Sequence, residues 1–282
     1  MSGLDIRPMG AGDLPIALGW AAEEGWNPGL GDAAPFRAAD PDGFLMARLD
    51  GEPVACISVV AYGAAYGFLG FYICRKGWRG RGYGYATWRA GLDRLGARTV
   101  GLDGVLAQQD AYRREGFDLA HRNIRFGGRP AVPPASAEEG LVAIEGGIAE
   151  AVIAADRRWF GAERPAFLAA WLAPGPTRQG LALLRAGEIA GYGVIRDCGT
   201  GAKIGPLFAA DRADAERLFA ALAATRPGRE IFLDVPEPNR AAVALAEAHG
   251  LAPVFETARM YRGAPPALPL PAIFGITTFE LG

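Results

Sequence analysis

Residues 66–95, YGFLGFYICRKGWRGRGYGYATWRAGLDRL, decide the fold because three patterns meet in them. Tyr66 to Cys74 is apolar at nearly every position and reads as a strand with no face suited to water. Gly77 to Gly84 then packs four glycines and two arginines into eight residues. Beyond it Tyr85, Trp88, Leu92 and Leu95 recur at steps of three and four, the apolar stripe of an amphipathic helix. The order strand, glycine loop, helix N-terminus has a chemical meaning. The first turn of a helix carries unpaired N–H groups and the positive end of the helix dipole, which together favour a bound anion. Glycines let backbone approach a phosphate closely and accept positive φ at little cost. Arg75, Lys76, Arg79 and Arg81 concentrate positive charge in the same segment. A loop serving flexibility alone has no need of this company, so the segment reads as a phosphate cradle.

Known phosphate-binding patterns differ in spacing. The P-loop requires G-x-x-x-x-G-K-[ST], which is absent, and the dinucleotide fingerprint G-x-G-x-x-G fails because the residue at 85 is Tyr. The spacing present is R-x-x-G-x-G, carried by Arg79, Gly82 and Gly84. Downstream, Tyr112 stands four residues before the pair Gly116-Phe117 on an expected helix. Between two opening helices lies GWNPG, Gly25 to Gly29, and the chain closes on FGITTFELG, Phe274 to Gly282.

On these features the chain resembles the GCN5-related N-acetyltransferase (GNAT) family, and within it the tandem subgroup typified by the YitH-like acetyltransferases. The resemblance implies transfer of an acetyl group from acetyl-CoA to a primary amine of a small molecule or peptide by direct attack. It implies that the backbone of Tyr72, Ile73 and Cys74 holds the pantetheine arm and that Arg79, Gly80, Arg81, Gly82, Tyr83 and Gly84 hold the pyrophosphate. Tyr112 is then the acid that protonates the departing thiolate. Trp26 and Asn27 are the acceptor-pocket residues on this reading; the plain alternative is a tight Asn-Pro-Gly turn anchored by a buried Trp. The strand Phe68 to Cys74 holds no carboxylate, so the general base stays open among a water chain, Asp103, His121 and Glu280. A non-catalytic acyl-CoA sensor is the alternative function, although a sensor has no use for a proton donor.

The chain also carries signs of duplication. LMARLDGEPVACISVV and LALLRAGEIAGYGVI read as hairpins turning at Asp50-Gly51 and Ala186-Gly187. VGLDGV and IFLDVP read as buried strands, each followed by a helix ending in a glycine and an apolar residue, Gly116-Phe117 and Gly250-Leu251. These landmarks keep their order at an offset of about 131 to 136 positions. Each unit therefore reads helix, helix, hairpin, strand, helix, strand, helix, strand, a mixed α/β (α+β) sheet with helices on its faces. Residues 1–128 form the expected catalytic, acetyl-CoA-binding domain and 129–140 a Pro-rich linker. Residues 141–282 form a degenerate GNAT-like domain with a terminal strand over 272–281. Its loop equivalent, AKIGPLFAADRADAERLFAAL, has no glycine cluster and places Asp211 and Asp214 where an anion would sit. Ala246 stands where its tyrosine is expected.

Bulk properties exclude other classes. The 29 basic and 31 acidic residues give a formal charge of -2, which argues against a broad nucleic-acid-binding face. Cys56, Cys74 and Cys198 are widely spaced and His121 and His249 are the two histidines, so no metal-ligand spacing exists; three buried free thiols are expected. No signal-peptide pattern or membrane-length apolar run occurs, and a cytoplasmic, non-membrane protein is expected.

Overall fold

Strands form almost residue for residue where the apolar and alternating runs place them. The computed structural model describes residues 3–132 and 139–282. Residues Pro133 to Glu138, the middle of the expected linker, lie outside the described residues. The first half runs β1 (Leu4–Pro8), α1 (Asp13–Glu23), α2 (Ala33–Ala39), β2 (Phe44–Leu49), β3 (Glu52–Tyr62), β4 (Tyr66–Cys74), α3 (Tyr83–Leu95), β5 (Thr99–Val105), α4 (Gln109–Arg114) and β6 (Asp118–Gly128). The second half repeats this order as β7 (Leu141–Ala143), α5 (Gly146–Phe160), α6 (Pro165–Leu172), β8 (Arg178–Arg185), β9 (Glu188–Asp197), β10 (Ala202–Ala209), α7 (Arg212–Ala224), β11 (Ile231–Pro236), α8 (Arg240–Ala248) and β12 (Ala252–Arg262). A short β13 (Ile273–Gly275) follows. The opening strands β1 and β7 are too short and mixed in polarity to stand out in the sequence.

The duplication is written into the turns. Asp50-Gly51 reverse the first hairpin with φ of 48° and 87°, and Ala186-Gly187 reverse the second with 50° and 82°. Two successive left-handed residues are what a type I′ hairpin requires.

All thirteen strands among the described residues join one mixed sheet, in the order β1-β2-β3-β4-β5-β12-β6-β11-β10-β9-β8-β7, with β13 on β10. The centre of this order is an exchange. β12, from the second half, pairs antiparallel with β5 from Thr257↔Val105 to Arg262↔Val100. β6, from the first half, pairs with β11 from Ile231↔Gly128 to Pro236↔Asn123. The two exchanged strands also pair with each other.

The helical layers of the two halves merge as well. Phe36 of α2 stacks on Trp171 of α6 at 6.1 Å, and Trp20, Phe36, Phe44, Trp159, Phe167 and Trp171 are buried in one continuous cluster. A charge cluster pins the same junction. The Asp32 carboxylate meets Arg178 at 2.9 Å and Arg196 at 3.2 Å, with all three side chains buried. Burial pushes the Asp32 carboxyl up, but Arg196, Arg178 and the Gly29 amide outweigh it and hold it below the usual carboxylate range.

Candidate active site

A cleft opens where β4 and β5 part. Their parallel pairing covers Tyr66–Leu69 and Thr99–Leu102, whereas the strands continue to Cys74 and Val105. The cause lies in β4: the register against β3 slips between Ser58↔Gly70 and Cys56↔Ile73, and the buried Phe71 sits at φ 45°. A left-handed Phe inside a strand is strained, and such strain persists only where packing enforces it. Here the bulge turns the following residues, Tyr72 to Cys74, away from β5 and leaves them along the wall of a cleft of about 670 Å³.

One mouth of the cleft is the glycine loop. Gly80 and Gly82 adopt φ of 75° and 87°, and Gly82 is the left-handed N-cap of α3. Gly80, Gly82, Gly84 and Tyr85 line the opening. Gly84 packs so tightly that a Cβ there would lie 3.2 Å from the Tyr72 hydroxyl and 3.3 Å from Cys74 Cβ. Arg79 lies on this rim, its Nε donating to the Cys74 carbonyl at 2.8 Å and its Nη2 meeting Glu24 at 2.6 Å. Arg81 and Tyr83 turn elsewhere: both pack on Trp78, the guanidinium at 5.2 Å and the phenol ring at 5.8 Å. Tyr85 is 57% exposed, so the apolar stripe of α3 begins at Trp88 and Tyr85 caps the cleft instead. Cys56 and Cys198 are buried, but Cys74 is half-buried because it lines this opening, a correction to three buried thiols.

Tyr112 stands further in. Its ring stacks on Trp88 at 5.4 Å and lies over β5, where a Cβ on Gly104 would fall 2.3 Å from the ring. Trp88 in turn meets Tyr72 at 5.1 Å. Burial pushes the Tyr112 phenol well above its ordinary pKa, with Tyr72 adding to the effect, so it carries its proton at neutral pH.

The far end of the cleft comes from both halves of the chain. Trp26, Phe255, Thr257, Phe279 and Glu280 line it. Arg125 organises three of them: it pairs with Asp234 at 2.6 and 2.8 Å, donates to the Trp26 carbonyl at 2.9 Å, and lies 4.7 Å from the Phe279 ring and 5.8 Å from that of Phe255. Asn27 does not line the cleft. Its side chain exchanges hydrogen bonds with Thr200 of the second half, and its carbonyl accepts from the buried Lys203 at 3.2 Å.

The candidate bases separate by their partners. Asp103 lines the cleft but is saturated, accepting from Arg259 at 2.8 and 2.6 Å and from Asn123 at 2.7 Å. His121 lies on β6 outside the cleft lining; burial, with Arg259 adding to it, pushes its pKa down to about 4. Glu280 reaches the cleft because residues 276–282 run from the second half into the first. Ser58 Oγ donates to the Glu280 carbonyl at 3.3 Å and Tyr62 to the Leu281 carbonyl at 2.9 Å. Of the strand expected over 272–281, Ile273–Gly275 is strand and the remainder is this buried, irregular run.

The second half supplies a comparison. β10 and β11 part after Ile204↔Leu233, as β4 and β5 do, but β13 occupies the gap, pairing with β10 at Leu207↔Gly275 and Phe208↔Ile273. Asn239 holds it there, donating to the carbonyls of Pro271 and Ile273. Asp211 N-caps α7, and Asp214 is buried against Arg185, so neither offers donors to an anion. Ala246 is buried at the position matching Tyr112.

Sequence reasoning missed Phe71, Arg125, Phe255 and Phe279. Arg125 lies three residues before the end of β6, between Ile124 and Phe126 in a strand of mixed polarity; no local signal brings Phe255 and Phe279 to the first half, because Phe255 arrives on the exchanged β12 and Phe279 on the closing run 276–282. Among the described residues no group of three His, Cys, Asp or Glu could hold a metal ion, and no helix is long and apolar enough to cross a membrane.

Comparison with known proteins agrees with this geometry. The model of the acetyltransferase (GNAT) family matches residues 16–117, and that of an acetyltransferase (GNAT) domain matches residues 152–275. The holothin acyltransferase of Pseudoalteromonas sp. (strain SANK 73390) is 32% identical over 98% of this chain and 94% of its own length. A candidate acetyltransferase from Pyrococcus horikoshii superposes with a TM-score of 0.82 at 24% identity, covering 100% of this chain and 97% of that one. A tandem GNAT protein from the clavulanic acid biosynthesis pathway superposes with a TM-score of 0.61 at 16% identity, covering 93% and 99%. With its two matched domains, its parted strands and its glycine-capped helix, the chain belongs to the GNAT superfamily as a tandem-domain acyltransferase.

Proposed function

We propose that the protein transfers an acetyl group from acetyl-CoA to a primary amine, in one site located in the first half. The observation that carries the reading is the alignment along one cleft of a glycine-capped helix N-terminus, an unpaired strand edge and a protonated tyrosine. The amides opening α3 suit a pyrophosphate. The edge of Tyr72 to Cys74 suits an amide-bearing arm that continues the sheet. Positioning of this kind contributes several kcal/mol by making the attack effectively intramolecular. Tyr112 supplies the proton that the leaving thiolate takes as the C–S bond breaks. The blocked gap beside β10 supports a single site.

An acceptor amine on a flat, largely apolar body fits the walls formed by Trp26, Phe255 and Phe279. The relative that acylates holothin supports a small-molecule acceptor over a peptide. The first test is a melting curve with acetyl-CoA. At about 100 times Kd, a ligand binding only the folded state stabilises it by roughly 2.7 kcal/mol. A rise in Tm is expected; no rise at millimolar acetyl-CoA removes the reading. Tight binding with no thiol release over a broad panel of amines would favour the sensor instead.

A further inference from the structure

Among the described residues, every carboxylate lining or bordering the cleft is matched by a short hydrogen bond or ion pair except one. Asp103 is held by Arg259 and Asn123, Asp234 by Arg125, Asp32 by Arg178 and Arg196, and Glu24 by Arg79. Glu280 is 4% exposed, lines the cleft, and makes no side-chain hydrogen bond or ion pair within the described residues. An ionisable group taken out of water without a partner costs several kcal/mol. Lys203, Arg196 and Arg125 offset part of that cost through space, and a hydrogen-bond donor on a ligand in the cleft would supply the direct partner that the chain does not.

Its placement is also built. Glu280 backbone lies on Gly70, where a Cβ would fall 2.3 Å from the Glu280 carbonyl, so only glycine admits the segment. Gly70 directly follows the last residue of β4 paired with β5 and precedes the Phe71 bulge. Glu280 thus sits where the two strands begin to part, while its neighbour Phe279 forms the aromatic wall beside Phe255 at 5.9 Å.

We infer that Glu280 is the catalytic residue that receives the acceptor: its carboxylate accepts the N–H of an amine carried on a flat aromatic body and takes a proton from it. This rests on the acyl-transfer reading above. An ammonium gives one proton to Glu280 and becomes a free amine; that proton is later released to water. The amine lone pair then forms the C–N bond at the thioester carbon, and the C–S bond breaks with its electron pair leaving on sulfur. Tyr112 protonates the thiolate, and the remaining excess proton on nitrogen returns to Tyr112 through solvent. The products are the amide, the free thiol and one proton.

The surroundings make the carboxyl titrate usefully. Burial raises its pKa, opposed by Lys203 of β10, Arg196 of β9 and Arg125 of β6, with Asp32 adding slightly to the rise. Lys203 is itself pushed down to about 8, by burial first and then by Arg125. A base must be ionised to act, so activity rises with pH through the Glu280 titration.

The experiment compares wild type with Glu280→Gln, which keeps the shape and the backbone contacts, using tryptamine as the amine probe. Thiol release from acetyl-CoA is followed with tryptamine and with water alone as acceptor, and tryptamine binding is measured by calorimetry. Melting with acetyl-CoA is run on both proteins. Support is a loss of about 100-fold or more in kcat/KM for tryptamine. It also requires weaker tryptamine binding, loss of the lower-pH limb of the profile, and an acetyl-CoA KM within twofold of wild type. Glu280→Asp should restore part of the rate. Unchanged tryptamine and water rates and an unchanged pH profile in Glu280→Gln would overturn the assignment while the acetyl-CoA melting shift leaves the acyl-transfer reading standing. Wild type that neither binds nor acetylates tryptamine overturns the acceptor class.

Discussion

A tyrosine and a glutamate share the cleft with opposite assignments, and their surroundings decide which is which. Burial keeps the Tyr112 phenol protonated, so it is an acid in waiting. Tyr112→Phe removes the hydroxyl and keeps the stacking on Trp88. It should lower kcat by about 10²–10⁴-fold with little change in the KM for acetyl-CoA, as measured by thiol release. Unchanged turnover would assign the protonation to another group. Gly104 is the silent partner of this arrangement. Because a Cβ there would meet the Tyr112 ring at 2.3 Å, Gly104→Ala should push the ring aside, with an overpacking cost of about 1–3 kcal/mol readable in the melting temperature. Tyr112 was legible in the sequence because its spacing to Gly116-Phe117 is local. The saturation of Asp103 was not, since its partners Arg259 and Asn123 come from strands 156 and 20 positions away.

At the scale of elements, the cradle depends on where α3 starts. The left-handed Gly82 at φ 87° caps the helix, and Gly82, Gly84 and Tyr85 at its start line the cleft mouth. A side chain at that φ costs about 1–2 kcal/mol. Gly82→Ala should therefore lower stability by about that amount and weaken acetyl-CoA binding further than the melting shift alone explains, by titration calorimetry. Most elements were legible because apolar period and turn chemistry agree: β4 and β11 occupy the residues their apolar runs mark. Phe71 was not legible, because a bulge depends on register against β3 and the left-handed residue is a Phe, although Gly70 stands beside it. Nor was the fate of Tyr83, which looks like part of the loop and instead packs on Trp78.

For the molecule as a whole, the duplicated pattern could be read but its wiring could not. Landmarks recurring in one order reveal two units; nothing in a single strand's sequence says which of two equivalent edges it joins. The junction between halves holds a buried charge cluster. Asp32→Ala strands Arg178 and Arg196 in the core and should cost about 3–5 kcal/mol, measured by denaturant unfolding. The pH dependence has a defined sign. Folding lowers the Asp32 and Asp234 carboxyls, in each case because arginines outweigh the effect of burial. Their stabilisation is complete above the ordinary carboxylate range and is lost as pH falls below about 4, through the depressed folded values. Glu280, raised by burial, works in the opposite sense and relaxes part of that loss on protonation.

The strand exchange has a consequence in time. During synthesis β5 is made roughly 150 residues before β12, and at about 5–20 residues per second its edge waits roughly 8–30 s for its partner. An unpaired apolar edge of that age accepts any matching strand. The best match in a crowded solution is the β12 of another copy, and reciprocal exchange then yields a dimer with two complete clefts. Rapid refolding at high protein concentration should accumulate this species, and dilute refolding should give monomer, as resolved by light scattering. A monomer at every concentration would mean that β12 reaches its own β5 before diffusion brings a neighbour.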